Sequence, residues 1–220
     1  MINIIFLGPP GSGKGTQSAK IADNLGMSQI APGDLLRNAV RDCAVLGKKA
    51  EEYMKRGDLV PDDIIIGLMK GKIESDTSSK GFILDGFPRT ITQAVALDKI
   101  LVENVNKDVA TIVICIEIDD SVIIKRLNGR RICNKCGAVF HLVNNPPLKD
   151  GICDLCSGEL ILRNDDQLET IMKRLAVYKG QTAQLRDYYR GQNNLYTIDG
   201  AQNPDEVYEN IKEVVDNGSC

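Results

Sequence analysis

Short, uncharged, β-branched runs alternate along this chain with longer segments whose apolar residues recur every three or four positions, a pattern of strands separated by helices. Ile2 to Leu7 carries no charge and stops at Gly8, so it reads as a strand covered on both faces, at the centre of a sheet. A helical stripe of Ala19, Ala22 and Leu25 follows and ends at Gly26. Ser28 to Ala31 is extended. Asp34 is placed to N-cap a helix from Leu35, which would present Arg37 in its first turn. An arginine there opposes the helix dipole and points either to an anion partner or to a solvated side chain. Lys48 to Lys55 forms the next helix, ended by Gly57, and Pro61-Asp62-Asp63 opens another, leading to a polar loop over 72–80. Gly81 to Asp85 is an apolar strand that stops at an acid, Thr90 to Val102 is helical, and Ala110 to Ile118 is a buried strand that takes Cys115 into the core. Asp119 to Leu127 is a helix bearing Lys125 and Arg126. From Ile132 to Leu162 helical periodicity disappears among glycines, adjacent prolines and four cysteines, as in a compact, loop-rich insertion. Asp165-Asp166-Gln167 restarts a helix carrying Arg174; Leu195 to Ile198 is a last strand and Pro204 to Val215 a last helix. The alternation predicts an α/β fold with a parallel sheet of about five strands flanked by helices.

Composition narrows this only slightly. A chain of 220 residues can form one large domain with inserted lobes, and 27 basic against 30 acidic residues, a net −3, gives no global field toward nucleic acid or membrane. Any phosphate binding must be local. No segment approaches ~20 apolar residues, and the run before Gly8 lacks the length and cationic flank of a signal peptide, so a cytoplasmic protein with reduced cysteines is expected.

The chemistry concentrates first in Gly8-Pro9-Pro10-Gly11-Ser12-Gly13-Lys14-Gly15-Thr16, between the first strand and the first helix. This spacing predicts a phosphate-binding loop in which backbone N–H groups surround phosphate oxygens and Lys14 reaches the outer phosphates. Gly15 stands where a hydroxyl residue normally follows the lysine, which displaces the nearest hydroxyl to Thr16 and leaves direct metal contact open. Asp85 at a strand end suits a residue that orients hydrated magnesium, or a turn aspartate. The pairs Cys133–Cys136 and Cys153–Cys156, with sixteen residues between them, have zinc-ribbon spacing. Four thiolates close a coordination shell, so the ion would be structural, zinc or iron, while a redox use of either pair is the competing reading. His141 reads as a surface residue.

Taken together, Gly8 to Gln17, Gly33-Asp34-Leu35-Leu36-Arg37, Asp85-Gly86-Phe87-Pro88-Arg89 and Arg163-Asn164-Asp165-Asp166 closely resemble the adenylate kinase family, in its long-lid, zinc-containing type. The resemblance covers nearly the whole chain. It implies a phosphate-loop nucleotide kinase with a five-stranded parallel core (1–30, 61–126 and 165–220), a helical AMP-binding lobe (31–60) and a zinc-binding lid (127–164). The activity implied is reversible phosphoryl transfer from MgATP to AMP giving two ADP, by a monomer with magnesium and structural zinc and with neither nucleic-acid nor membrane partners. By the same resemblance ATP is held by Gly11, Ser12, Gly13, Lys14, Gly15 and Thr16, by Arg126 against its base, by Arg130 on its phosphates, and by Val139, Phe140 and the backbone of Gln202. AMP is lined by Pro32, Asp58, Leu59, Val60, Gly86, Phe87, Pro88 and Gln93, with Arg37 and Arg89 on its phosphate and Arg163 and Arg174 between the two nucleotides. The catalytic set implied is Lys14, Asp85, Arg89, Arg126, Arg130, Arg163 and Arg174. Pro32 departs from a common hydroxyl residue and Asp58 from a common lysine. Rival readings keep the fold but change the acceptor to CMP or UMP or the donor to GTP, or make the ribbon a nucleic-acid reader. Between Ile132 and Leu162 the charges nearly balance and Phe140 is the only aromatic, which speaks against the last.

Overall fold

A computed structural model describes residues 2–42, 44–76, 80–104 and 109–218. Residues 77–79 of the expected loop, and Cys43 and Cys220, lie outside the described residues.

The sheet is built from β1 (Ile2–Leu7), β2 (Ser28–Ile30), β3 (Phe82–Asp85), β4 (Ala110–Glu117) and β8 (Leu195–Asp199), in the order β2-β3-β1-β4-β8 with every pair parallel. β1 is central, as its uncharged sequence predicts. Its alternate residues feed two cores: Ile5 and Leu7 join Leu84, Val113 and Cys115 on one face, while Ile4 and Phe6 join Ile83, Ile114 and Ile116 on the other. The first face is covered by α4 (Asp62–Glu74), α5 (Ile91–Asn104) and α8 (Leu185–Arg190), the second by α1 (Lys14–Leu25) and α9 (Pro204–Asn217). A strand with no solvent face has no place for a charge, which is why these runs are continuous rather than alternating.

Two helix starts differ from expectation. The helix α2 (Pro32–Arg41) begins at Pro32, with extended Ala31 at the N-cap, so Asp34 lies in the first turn rather than capping it. Proline fixes a helical φ and lacks an N–H that the first turn could not use, so it wins the N1 position. Asp34 instead accepts from Arg37 at 2.5 Å, giving that arginine a local partner. Likewise Gln167, not the acid pair, precedes α7 (Leu168–Val177), and residues 164–166 form a 3-10 turn. α3 (Val45–Arg56) ends at Gly57, and α4 runs three residues into the stretch expected as polar loop.

The cysteine-bearing insertion is more regular than its sequence suggests. After α6 (Asp120–Asn128) come β5 (Arg130–Cys133), β6 (Val139–His141) and β7 (Leu160–Ile161), a small antiparallel sheet of order β6-β5-β7. Strands of two to four residues are too short to show a period. Between α7 and α8 the backbone widens into a π-helical turn, Tyr178–Thr182, also without a sequence sign.

Candidate active site

The loop after β1 wraps its own lysine. Lys14 donates from Nζ to the carbonyls of Gly8 and Pro9, each at 2.7 Å, and to Ser12 Oγ at 3.4 Å. Burial pushes the ammonium down to about 8; Asp85 pulls it back up, and Arg89 and Arg174 push it further down. β1 and β3 are adjacent and register Phe6 against Asp85, so the loop and that carboxylate leave the sheet side by side. Burial raises the Asp85 carboxyl, against the opposing pull of Lys14. The departure at Gly15 has a steric reason. A Cβ there would lie 3.1 Å from Asp85 Oδ2, so a serine or threonine after the lysine would crowd the carboxylate.

Around this pair the fold gathers arginines from four elements. Arg37 comes from α2, Arg89 from the loop after β3, Arg130 from β5 and Arg174 from α7, with Arg163 just before the 3-10 turn. Burial, then Arg174, lowers Arg89 to about 10; burial, then Arg37 and Arg130, lowers Arg163 to about 10. Arg174 is also lowered, chiefly by burial. Packing like charges together in a partly dry site is unfavourable for the ligand-free chain, and a polyanion relieves it.

Two acids partly offset the cluster. Asp166 is fully buried and accepts a fork from Arg130, at 2.7 and 2.5 Å, and a third bond from Arg174 at 3.1 Å. Asp165 accepts a fork from Arg163, at 3.0 Å on each arm. Burial alone would raise the Asp165 carboxyl, but Arg174 and Arg163 hold it at about 2. From the sequence, Asp165 and Asp166 read as a helix start and as part of the Arg163-Asn164-Asp165-Asp166 motif, with no role of their own; the doubled acid two residues after an arginine is the signal that could have found them.

Arg89 is fixed at three points. Its Nε donates to the Gly86 carbonyl at 2.8 Å, its backbone N–H to Gln93 Oε1 at 2.8 Å, and its own carbonyl accepts from Thr182 Oγ1 at 2.8 Å. Thr182 belongs to the π-helical turn and has no sequence signature as a site residue. Gly86, Phe87 and Pro88 form the buried corner before Arg89, and Pro32 is buried at the head of α2. Asp58 accepts from Lys173 at 2.8 Å and from Arg56 at 3.1 Å, tying the chain after α3 to α7. With Leu59, Val60, Asp62 and Thr90 it lines a cleft of about 400 Å³.

The remaining candidates lie apart from the arginine cluster. Arg126 on α6 reaches the Ser12 carbonyl at 3.5 Å. Thr16 is exposed, and Gln202 accepts from Asn210 Nδ2 on its side-chain oxygen at 2.8 Å. Val139 is exposed, whereas the Phe140 ring packs into the small core of the insertion with Cys133, Cys153 and Leu160.

The four cysteines converge. Cys133 and Cys156 sulfurs are 3.4 Å apart, Cys136 and Cys153 3.6 Å, and all four lie within 4.8 Å of one another. A tetrahedral ion with metal–sulfur bonds of ~2.3 Å needs sulfur–sulfur edges of ~3.8 Å, which this set fits. The N–H groups of Lys135 and Cys136 point at Cys133 Sγ, at 3.4 and 3.5 Å, as donors to a metal thiolate do. A Cβ on Gly158 would come within 2.8 Å of that sulfur. His141 is not part of the set. Its Nδ1 accepts from the N–H groups of Val143 and Asn144 and its Nε2 is buried, so it is a structural residue of the insertion rather than a surface one.

Residues 6–194 match a family model described as adenylate kinase. Similar proteins include the adenylate kinase of Methanosarcina barkeri, 50% identical over 97% of this chain and 98% of the relative. The adenylate kinase of Archaeoglobus fulgidus is 47% identical over 98% of each chain, and that of Carboxydothermus hydrogenoformans 47% identical over 97% of this chain and 99% of its own.

Proposed function

The chain belongs to the adenylate kinase family, an enzyme family of reversible phosphoryl transfer between ATP and AMP producing ADP, and on that premise we propose how its residues divide the reaction. The observation that carries the assignment is the convergence of Lys14 and five buried or half-buried arginines at the ends of β1 and β3.

A triphosphate and a monophosphate must meet there. The acceptor oxygen of AMP is already ionised at neutral pH, so no general base is needed, and the work is positioning and charge neutralisation. Lys14 and the amides of residues 11–16 hold the ATP phosphates, Arg130 grips them from the insertion, and Arg126, Val139, Phe140 and Gln202 bound the ATP base. Arg37 and Arg89 hold the AMP phosphate, and Arg163 and Arg174 span the gap. Gly86, Phe87, Pro88, Pro32 and 58–60 form the AMP wall, with Gln93 reading the base. Asp85, raised by burial beside the loop, is placed to orient magnesium, which would supply charge to the transferring group. Residues 31–60 are then the AMP lobe and 127–164 the lid, closing over a core of 1–30, 61–126 and 165–220 to exclude water. All these groups come from one chain, which is what supports a monomer as the working unit. ADP formed from ATP, AMP and magnesium tests the reading; no AMP-dependent ADP would overturn it.

We assign zinc to the cysteine cluster, as a staple for a lobe whose own core is no larger than Phe140, Leu160 and the buried cysteines. Thiolates poised to share an ion also suit the reducing cytoplasm. Metal analysis is expected to give one zinc per chain. Chelating it should lower the melting temperature by roughly 5–10 °C while kcat falls less than about tenfold, because no cysteine reaches the reacting phosphorus.

The depressed Lys14 ammonium carries a pH signature. Its pKa is about 8 in the folded chain against 10.5 as a free side chain, so charge is disfavoured by folding. The resulting stability penalty is complete below pH ~8 and fades as pH rises toward ~10.5. A bound triphosphate supplies the missing countercharge, so ATP binding takes up a proton above pH ~8. Affinity is expected to be flat below that value and to fall by up to about tenfold per pH unit above it. Lys14→Arg, which keeps its charge, should lack the slope when ATP titrations are compared from pH 7 to 9.5.

A further inference from the structure

We propose that Asp62 is a specificity-determining residue of the acceptor site, which by fixing the orientation of the Gln93 amide makes the site a reader of 6-amino rather than 6-oxo purines. The inference rests on the reading of Gln93 as the residue that faces the AMP base.

Gln93 is 1% exposed, and both ends of its amide are engaged. Oε1 accepts from the Arg89 backbone N–H at 2.8 Å, and Nε2 donates to Asp62 Oδ1 at 2.7 Å. A peptide N–H cannot accept and a carboxylate cannot donate, so the amide has one allowed orientation. Turned round, it would set N–H against N–H and oxygen against oxygen, with two buried bonds lost. Asp62 is itself fixed. Its Oδ2 accepts from Thr90 Oγ1 at 2.9 Å, and the same hydroxyl accepts from the Gln93 backbone N–H at 3.2 Å, closing a ring of three residues. Asp62 opens α4, whereas Thr90 and Gln93 belong to the entry of α5, so the ring ties two helix starts together.

After these bonds Gln93 keeps one amide N–H and one oxygen lone pair, side by side. That edge matches adenine, whose 6-amino group donates and whose N1 accepts. A 6-oxopurine shows the reverse, an accepting O6 and a donating N1–H, and would need the reversed amide. Asp62 touches no base in this scheme and acts through Gln93. A site that must leave buried polar groups unpaired rejects the wrong substrate far more strongly than one that only loses contact area.

The test is the ratio of kcat/KM for AMP to that for inosine monophosphate, with ATP as donor, in the wild type, Asp62→Asn, Asp62→Ser and Gln93→Ala. An asparagine can offer either an oxygen or an N–H to Gln93, so Asp62→Asn is expected to lower the ratio by ~10-fold, mostly by raising activity on inosine monophosphate. A merely structural role would lower both activities together and leave the ratio alone. If Gln93→Ala lowers the ratio and Asp62→Asn does not, the proposal is overturned and Gln93 remains the reader. If neither moves it, the base is read elsewhere and the Gln93 assignment falls as well. Should Asp62→Asn fail to fold, Asp62→Ser decides. Its hydroxyl can donate or accept, so the lock on Gln93 is released and the ratio is expected to fall in the same direction; an unchanged ratio overturns the proposal.

Discussion

Replacing Arg89 with alanine should lower kcat/KM for AMP by ~10²-fold or more while leaving the melting temperature unchanged or slightly raised. The two halves of that expectation have one cause. Arg89 is held by Gly86, Gln93 and Thr182 in a position where burial and Arg174 both work against its charge. In the ligand-free chain the guanidinium is a source of repulsion, and truncation relieves it. In the reacting complex the same charge faces phosphate oxygens in a water-poor site, where one charge-assisted donor supplies ~3–4 kcal/mol. Activity and stability therefore move apart, as they do where a site stores unfavourable charge for its ligand. Steady-state kinetics with AMP varied, run beside thermal melts, would check both. A near-wild-type rate would remove Arg89 from the phosphate clamp.

Asp166→Ala should show the opposite coupling, losing stability and activity together. Asp166 has no exposed surface and receives three hydrogen bonds from Arg130 and Arg174. Removing it leaves the mostly buried Arg130 without its carboxylate and Arg174 with Asp165 alone, 3.3 Å away, while the two cations still repel each other, a loss expected to reach ~3–5 kcal/mol. In a chain of this length that corresponds to a fall of roughly 10 °C or more in melting temperature. Arg130 stands on β5 and Arg174 on α7, so the same deletion cuts the charged link between the insertion and the core, and kcat should fall with it. Asp166→Asn keeps the shape and one acceptor and should lie between. A melting temperature within 2 °C of wild type for the alanine variant would show that the arginines find other partners.

The parts of this molecule legible in its sequence are those fixed by local chemistry. The uncharged run Ile2 to Leu7 announces a strand covered on both faces, and Gly26 and Gly57, both left-handed, announce helix ends. The cysteine pairs announce their convergence, because two knuckles at that spacing bring four thiolates to one tetrahedral site. What stayed hidden depends on partners far along the chain. Asp34 looks like a helix cap until Pro32 is seen to take the first turn. Asp165 and Asp166 look like a helix start until the arginines of other elements arrive, and nothing around Thr182 tells that a π-helical turn will aim its hydroxyl at Arg89. Gln93 was legible as a polar residue with both a donor and an acceptor, but its binding partners Asp62 and Arg89 are brought to it by folding.

The strands that enter and leave the cysteine-bearing insertion are hydrogen-bonded to each other, with Ile132 opposite Ile161 and Cys133 opposite Leu160. Whatever lies beyond that neck is topologically a closed appendage, and its length and chemistry place no demand on the main sheet. Such an appendage can be lengthened, shortened or given a different interior in evolution so long as the paired neck and the strand carrying Val139 and Phe140 survive. The neck also keeps Arg130, at the root of β5, outside the region free to vary. In this architecture the part that must be inherited faithfully is the stem, and the tip is open to experiment.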